Sequence, residues 1–223
     1  MLRAPTTSKT RINVRSQETI LDRARLHQAS KAAFDYFLVI PALIMLLPLF
    51  LIIAVLIKLE SPGPVLHRQR VIGKRGRFFE AYNFRTTFVD GNDRLIRNRD
   101  QWVALLNGQK AASDPRITRV GYFLRRWGLE DLPRLFNILN RQMSLVGPHL
   151  LNQNDIVRLG VRRVEMITSV KPGMTGLWQM RAFNTSEREL SNLEIEYVNN
   201  WSLRTDIQIL LETFTAIREG NIL

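Results

Sequence analysis

The sequence predicts a small, helix-rich α+β domain attached to an N-terminal membrane helix. The first observation is an uncharged, strongly apolar run over residues 36–57. The second is the helical spacing of apolar residues over 120–143, 187–198 and 203–218. The third is a pair of short apolar and aromatic runs around Gly73 and Gly76, typical of a β-hairpin. We therefore expect three parts: a basic N-terminal extension (1–30), an anchor helix (31–60) and a domain (61–223).

Composition narrows the classes of partner and chemistry. The 223 residues include no cysteine, which excludes disulfides, thiolate catalysis and cysteine-based metal sites. With no HExxH motif and only three histidines, a zinc site is not expected, and neither a P-loop nor a GxGxxG motif is present. The net charge of +12 indicates an anionic partner. Nucleic acid would account for the charge but not for the apolar run, so we expect no nucleic-acid partner.

The apolar run is long enough to cross a membrane as an α-helix. Its 22 residues would extend over roughly 33 Å, about the thickness of a bilayer core. Two features argue against a simple span. Pro48 lies at its centre and would kink a helix, and basic residues outnumber acidic ones on both flanks, which favours the cytoplasm for both ends. These observations leave two topologies open: a spanning helix, and a re-entrant helix that bends at Pro48.

Residues 120–143 combine a helical apolar stripe with interleaved arginines. This pattern is typical of amphipathic helix at a membrane interface, with the arginines directed toward lipid headgroups. The same stripe would serve equally well in ordinary core packing, which is the commoner use of such a pattern.

Two adjacent carboxylates, Glu130 and Asp131, precede Pro133 in this segment. A purely structural interpretation makes them first-turn acids that the helix dipole stabilises. A functional interpretation makes one of them a nucleophile beside a second carboxylate, with a divalent metal screening the phosphates of a substrate.

Two further clusters could recognise phosphate. Asp114, Arg116 and Arg119 place one acid beside two guanidiniums, which suits bidentate phosphate binding. The alternative for this cluster is a solvated turn that a local ion pair closes. His149 ends a tight turn, SLVGPH, and on sequence grounds is equally well explained as a packed or a solvent-facing residue.

Several segments, in this order along the chain, resemble the bacterial sugar transferase family. They are KAAFDYFL, the central Pro48, IKLESPGPVLHRQRVIGKRGRFFEAYNFRT, DPRITRVGYFLRRWGLEDLPRLFNILNRQMSLVGP, VKPGMTGLWQM and YVNNWSLRTDIQIL. The resemblance runs from residue 31 to residue 210. The family comprises monotopic polyprenyl-phosphate phosphoglycosyl transferases, which begin exopolysaccharide, O-antigen or glycoprotein glycan assembly at the cytoplasmic face of the bacterial inner membrane.

The resemblance implies a re-entrant anchor bent at Pro48 and a two-step reaction. An acidic nucleophile attacks the β-phosphate of a UDP-sugar and releases UMP, and polyprenyl phosphate then takes up the phosphosugar, with Mg²⁺ as cofactor. The partners are therefore the UDP-sugar, undecaprenyl (polyprenyl) phosphate and membrane lipids, while homo-oligomer formation is left open. Glu130 becomes the nucleophile and Asp131 the partner carboxylate, both as metal ligands. The substrate-binding residues would be Arg85, Asp114, Arg116, Arg119, His149 and Arg181.

The polar motifs depart from the family pattern in four places. The family's Asp-Glu dyad, in a motif like SLDELPQL, is reversed here in GLEDLPRL, and its Gly-Pro-Arg-Pro turn is GPHL. Its Lys-Phe-Arg is NFR, and its Ser-Gly-Arg after the WQ motif is absent, with Arg181 as a shifted substitute. Two hypotheses follow: an active transferase, and a catalytically degenerate homologue that acts as a non-enzymatic membrane-bound partner in a glycan-assembly complex.

Overall fold

The computed structural model describes residues 8–97, 114–181 and 186–219, with side chains for 28–97, 114–179, 186 and 188–216. Within these ranges the helix-rich α+β prediction is confirmed. The helices are α1 (Ser8–Glu60), α2 (Gly91–Arg97), α3 (Arg119–Arg126), α4 (Arg134–Leu139), α5 (Gln153–Leu159), α6 (Val161–Ile167), α7 (Leu177–Arg181), α8 (Glu187–Asn199) and α9 (Leu203–Glu219). The strands are β1 (Leu66–Ile72), β2 (Phe78–Phe84), β3 (Ser144–Val146) and β4 (Gly173–Thr175).

Two small sheets organise the domain. Strands β1 and β2 form the predicted hairpin, antiparallel with Leu66 opposite Phe84 and Ile72 opposite Phe78. Strands β3 and β4 are parallel neighbours from distant parts of the chain. A single bridge from Ile72 to Leu151 joins the hairpin to the segment that follows β3.

Helix α1 contains the anchor. Among the described residues, the segment Gln28–Glu60 is long and apolar enough to cross a membrane, on length and composition alone. The helix is continuous from Ser8 and includes Pro41 and Pro48. The bend at Pro48, the cytoplasmic location of the domain and the division of the chain into three parts stay predictions.

One face of the anchor packs on the domain, and the opposite face is exposed. Val39 and Leu43 join a core with Val71, Ala81 and Ile138. Further along the same stripe, buried Ile53 and Ile57 pack with Phe84 and Leu124. The exposed face carries large apolar side chains, among them Phe37, Ile44, Met45, Leu47, Leu51 and Ile52. A continuous apolar surface of this kind is typical of contact with lipid or another protein.

The stripe over residues 120–143 is buried in one part and exposed in another. Leu124, Leu135 and Ile138 are buried in the two cores, which confirms core packing for that part of the stripe. Phe123 and Trp127, in contrast, are 55% and 51% exposed. Their insertion into a membrane interface stays a prediction.

Polar contacts fix the N-terminal end of the apolar segment to the domain. The buried Asp35 carboxylate accepts hydrogen bonds from Ser144 Oγ (2.7 Å) and the Leu145 N–H (3.2 Å). One turn earlier, Lys31 forms an ion pair with Asp206 of α9.

The C-terminal end is fixed in a similar way. The Glu60 carboxylate accepts from the backbone N–H groups of Arg119 (2.6 Å) and Val120 (2.8 Å) at the start of α3. Acids are stabilising at this position because the first N–H groups of a helix have no partner within it. Both ends of the apolar segment therefore contact the same domain.

Asp206 is the centre of a buried network that closes the fold. It is 1% exposed and accepts hydrogen bonds from the Tyr197 hydroxyl (2.7 Å) and the Trp201 indole N–H (2.9 Å), besides its ion pair with Lys31. This network joins the start of the anchor to α8 and α9.

We expect Asp206→Asn to lower the free energy of unfolding by about 3 kcal/mol, because it leaves the Lys31 ammonium without its charged partner. The measurement is denaturant unfolding of the purified protein in detergent. The matched control is Glu80→Gln, which removes the exposed partner of Arg68 and should change stability little. Equal effects of the two substitutions would contradict a structural role for the Asp206 network.

Candidate active site

The two adjacent carboxylates lie in a tight turn between α3 and α4. Gly128 has a left-handed backbone (φ 62°), which reverses the chain after α3, and Leu129–Asp131 form a single 3-10 turn before α4. Glu130 and Asp131 therefore precede the α-helix and do not form part of its first turn. Their side chains are each 29% exposed, so a ligand can reach both.

Asp131 is held by two partners from different elements. Its Oδ1 accepts from Asn83 Nδ2 (2.7 Å) and pairs with the Arg134 guanidinium (2.7 Å). Arg134 also donates to Asn83 Oδ1 at 3.3 Å, which closes a three-residue network. Burial raises the pKa of Asp131, while the Arg134 charge and the Asn83 hydrogen bond lower it.

Glu130 is held more loosely. Its Oε2 lies 3.3 Å from Arg125 Nε, which also donates to Thr86 Oγ1 at 3.0 Å. Burial and the neighbouring Asp131 charge raise the pKa of Glu130. Of the two carboxylates, Glu130 has the fewer and longer contacts, and it is the one with more freedom to approach a ligand.

Asp114 and Arg116 form the local ion pair that one interpretation of their motif predicted. Arg116 Nε and NH2 lie 2.9 Å and 2.7 Å from the two carboxylate oxygens of Asp114. This bidentate bond holds the pKa of Asp114 below its usual value, and the nearby Arg125 charge lowers it further. Asp114 is thus within electrostatic reach of the arginine that pairs with Glu130. Phosphate binding by Asp114 and Arg116 stays a prediction.

Arg85 lies in the connection between the anchor and the domain. Its NH1 donates to the Pro62 carbonyl (2.8 Å) and its NH2 to the Ser61 carbonyl (2.7 Å). Gly63, with φ 119°, makes room for this guanidinium, since a Cβ there would lie 2.2 Å from Arg85 NH1. These hydrogen bonds of Arg85 go to the anchor turn and not to the carboxylates, and its predicted role in binding phosphate is untested.

The remaining predicted site residues occupy different surroundings. Arg119 contributes its backbone N–H to Glu60, and its side chain is exposed. His149 packs edge-on against Trp178, with ring centroids 4.8 Å apart. Burial lowers the pKa of His149, the Asp155 charge raises it, and the Arg134 charge lowers it. The side chain of Arg181 lies outside the described residues.

Three site residues escaped the sequence analysis: Asn83, Arg125 and Arg134. One interpretation of the stripe directed these arginines toward lipid headgroups, and in the structure each pairs with one carboxylate of the dyad. The i, i+3 spacing of Asp131 and Arg134 is a helical pairing signal that could have indicated the second pair. The contact of Asn83 with Asp131 joins residues 48 positions apart, and no local pattern predicts it.

The dyad offers ligands suited to Mg²⁺. This cation is bound through oxygen, commonly by one or two carboxylates together with substrate phosphates and water. Glu130 and Asp131 provide two such groups side by side. In the ranges that the structure describes, no cluster of three or more His, Cys, Asp or Glu side chains is arranged to hold a metal. A cation at the dyad would therefore complete its coordination with oxygen ligands from substrate phosphates or water.

Comparisons with known proteins identify the family of this chain. The model of the family described as bacterial sugar transferase matches residues 26–220. The chain is 36% identical over 194 residues to the exopolysaccharide production protein ExoY of Sinorhizobium fredii, and the alignment covers 84% of this chain and 85% of that protein.

Longer relatives also match. The chain is 37% identical over 207 residues to the UDP-glucose:undecaprenyl-phosphate glucose-1-phosphate transferase of Xanthomonas campestris pv. campestris, with 89% of this chain and 40% of that protein covered. The protein of the same name from Escherichia coli K12 is 34% identical over 191 residues, with coverage of 82% and 39%. The family match over residues 26–220 and these identities lead to one conclusion: the chain belongs to the bacterial sugar transferase family.

Proposed function

We propose that this protein transfers a sugar-1-phosphate from a UDP-sugar to undecaprenyl phosphate at the cytoplasmic face of the bacterial inner membrane, as the first membrane step of polysaccharide assembly. The observation that carries the proposal is the accessible Glu130–Asp131 pair, with one guanidinium on each carboxylate, in a domain packed on an apolar helix. The names of the longer relatives, which specify an undecaprenyl-phosphate acceptor and a UDP-glucose donor, support this choice of reaction.

The proposed chemistry has two displacements at one phosphorus atom. A carboxylate oxygen of Glu130 attacks the β-phosphorus of the UDP-sugar, the bond from that phosphorus to the bridging oxygen breaks, and UMP leaves with the bridging electron pair. A phosphate oxygen of the polyprenyl phosphate then attacks the same phosphorus. The acyl phosphate bond breaks, the Glu130 carboxylate is regenerated, and polyprenyl-diphosphate-sugar is released.

The two carboxylates take different roles in this proposal. Glu130 is the nucleophile because its single, longer contact leaves it freer to approach the phosphorus. Asp131 is the partner carboxylate, and Asn83 and Arg134 hold its side chain in place. Arg125 and Arg134 stabilise the charge that develops on the phosphate oxygens. Mg²⁺ bound by Glu130 and Asp131 would neutralise part of the diphosphate charge.

The alternative, a degenerate homologue, is weakened by the pattern of contacts around Asp131. The family's lysine in Lys-Phe-Arg is Asn83 here, and the family's glutamine in LPQL is Arg134. Both residues contact the same carboxylate oxygen. The cation that is absent at position 83 is therefore present at position 134. This pattern is expected if Asp131 has kept a charged partner.

We further infer that the anchor enters and leaves through one face of the membrane. Its buried stripe contacts the domain from Asp35 to Glu60, about 38 Å along a helix. A span of the roughly 30 Å bilayer core would place these two polar contacts on opposite sides. One water-exposed domain cannot form both, so the contacts support re-entry, with Pro48 as the place where the helix can bend.

The dyad makes a direct prediction for turnover. Glu130→Gln should reduce UMP release from a UDP-sugar by about 10³-fold or more, because it replaces the nucleophilic carboxylate with a neutral amide, and Asp131→Asn should reduce it by roughly 10²-fold. The assay uses purified protein in nanodiscs with undecaprenyl phosphate and Mg²⁺, against a panel of UDP-sugars. The control is Glu165→Gln, which alters an exposed acid on α6 and should not affect the rate.

The same preparation tests the covalent step and the cation. Without acceptor, acid-quenched protein should carry labelled sugar phosphate, and Glu130→Gln should carry none. Chelation should stop UMP release and added Mg²⁺ should restore it. Folded, membrane-bound protein that releases no UMP from any donor would favour the non-enzymatic alternative.

Exchange of the two Asp131 partners provides a second prediction. Asn83→Lys should lower kcat/KM about tenfold by crowding two cations at Asp131, and Arg134→Gln should lower it about tenfold by removing the cation. The double variant, with the family's own residues at both positions, should recover most of the loss. Combination of Asn83→Lys with Arg126→Gln, which changes an exposed arginine, should give no recovery. Additive losses in the first double variant would disprove the exchange.

Labelling of introduced cysteines tests the topology, since the chain has none of its own. Ala29→Cys and Gln69→Cys place single thiols before and after the apolar segment, and Glu165→Cys reports the side of the domain. We expect a membrane-impermeant maleimide to label all three in inverted vesicles and none in intact spheroplasts. If position 29 is labelled from the side opposite to positions 69 and 165, the helix spans the membrane.

A further inference from the structure

A second ligand-sized region, the basic cavity, lies between the start of the apolar segment and the domain. It comprises one cavity of about 520 Å³ and one of about 460 Å³. The two share the lining residues Gln28, Lys74, Arg141 and Lys171, so they adjoin. The proposed reaction uses none of these residues.

The basic cavity is separate from the dyad. Strand β2 reaches the dyad through Asn83, and its other end, at Phe78, lines the cavity. Five residues of extended chain separate these positions by about 16 Å. Similarly, Arg134 at the start of α4 contacts Asp131, whereas Arg141, beyond the end of that helix, lines the cavity.

The lining carries an excess of cations. Lys74, Arg141 and Lys171 form no ion pair with any side chain in the described part of the protein. Lys74 donates to the amide oxygen of Gln28 (3.2 Å) and Arg141 to the Tyr36 hydroxyl (3.0 Å), both neutral acceptors. Burial lowers the pKa of Lys171, the Asp35 charge raises it, and the charges of Lys74 and Arg141 lower it further. Three cations that repel one another around a cavity favour an anionic ligand.

One nearby acid offsets part of this positive charge. Asp35 lines the larger cavity and attracts Lys171, while its oxygens also accept from Ser144 and Leu145. Lys31, the fourth cation of the larger cavity, is paired with Asp206. Arg75 and Arg77 add two more cations to the lining of the smaller cavity.

Backbone conformation provides independent support. Within the described ranges, two non-glycine residues have positive φ: Arg75 (58°) and Arg141 (59°). Both line the smaller cavity. A left-handed backbone is unfavourable for a residue with a Cβ, and such residues concentrate at binding and active sites. The fold therefore holds two guanidiniums beside this cavity at a conformational cost.

The position of the cavity along the anchor indicates the kind of anion. Its lining includes Tyr36, the first residue of the apolar run, and the next residue, Phe37, is 76% exposed on the outward face of the helix. The larger cavity also has apolar walls, including Ala32, Val170 and Trp201. A ligand in the cavity would contact cations at the boundary of the membrane-facing surface, and apolar groups beside them. This combination suits a lipid headgroup.

We propose that the basic cavity binds the phosphate headgroup of an anionic membrane phospholipid, at a site distinct from the dyad. The bound phosphate contacts Lys74, Arg141 and Lys171, and the acyl chains extend along the exposed apolar face of the anchor. The negative charge of the bound phosphate reduces the repulsion among the three cations, and the lipid joins the anchor to the β1–β2 hairpin and to the segment before β4.

The test measures binding of phosphatidylglycerol to the full chain in neutral detergent by native mass spectrometry. The cavity variant is Lys74→Gln/Arg141→Gln/Lys171→Gln. The control, Arg162→Gln/Arg188→Gln/Arg204→Gln, removes the same charge from exposed arginines elsewhere. We expect the cavity variant to bind at least about tenfold more weakly and the control to bind like the unmodified protein. Lys171→Gln alone, expected to weaken binding about threefold, serves if the triple variant does not fold.

Two results would overturn the proposal. One is equal phosphatidylglycerol binding by the unmodified protein and a folded cavity variant. The other is tight binding of inorganic phosphate at the cavity without binding of the lipid, which would identify a soluble phosphate as the ligand. The measurement involves no UDP-sugar and no turnover, and Glu130→Gln should bind the lipid normally. Failure of the lipid site and failure of the transferase proposal are thus separable.

Discussion

The attachment of one apolar helix to one polar domain at both of its ends is the constraint on which the rest of the structure depends. Asp35 is bound by Ser144 and Leu145 at the start of the segment, and Glu60 by the first N–H groups of α3 at its end. Because Glu60 fixes the start of α3, and the dyad follows directly after α3, the depth of Glu130 and Asp131 relative to the anchor is set by a hydrogen-bonded joint and not by a flexible linker. In the proposed reaction a lipid acceptor and a soluble donor meet at a fixed depth, so a rigid joint would have a direct functional advantage.

The same constraint explains why buried polar groups lie along the anchor. Buried ion pairs contribute little net stability compared with apolar packing, because desolvation offsets much of their attraction. Lys31–Asp206, Asp35–Ser144 and Arg85 with the carbonyls of Ser61 and Pro62 are therefore better explained by specificity. A uniformly apolar helix could slide or rotate against an apolar groove at small cost. Polar partners at fixed positions favour a single register, in which the outward face of the anchor stays free of polar side chains.

Sequence patterns predicted the parts of this molecule that depend on local periodicity. The apolar run, the β1–β2 hairpin and the helical spacing over residues 120–143 each depend on neighbours a few residues apart. The closeness of Glu130 and Asp131 was also predictable, because they are adjacent in the chain. The contacts around them were not, since Asn83 meets Asp131 across 48 residues and Arg85 meets the anchor turn across 24. From the sequence alone, Arg85 could bind phosphate or backbone carbonyl groups equally well. Only the packing of its segment against the anchor turn shows that it binds carbonyl groups.

The contacts at Asp131 also change how departures from a family motif should be weighed. Counted position by position, the missing lysine at Asn83 and the extra arginine at Arg134 are two changes at polar sites, and each alone suggests loss of function. The two changes leave the positive charge around Asp131 unaltered, because the side chains of Asn83 and Arg134 contact the same carboxylate oxygen. His149, which replaces the motif arginine of the GPHL turn, lies within electrostatic reach of Arg134 as well. In the proposed reaction, the Arg134 guanidinium from α4 supplies at Asp131 the positive charge that the family motif places on β2. What the reaction requires is positive charge at a given point in space, and more than one position in the sequence can supply it.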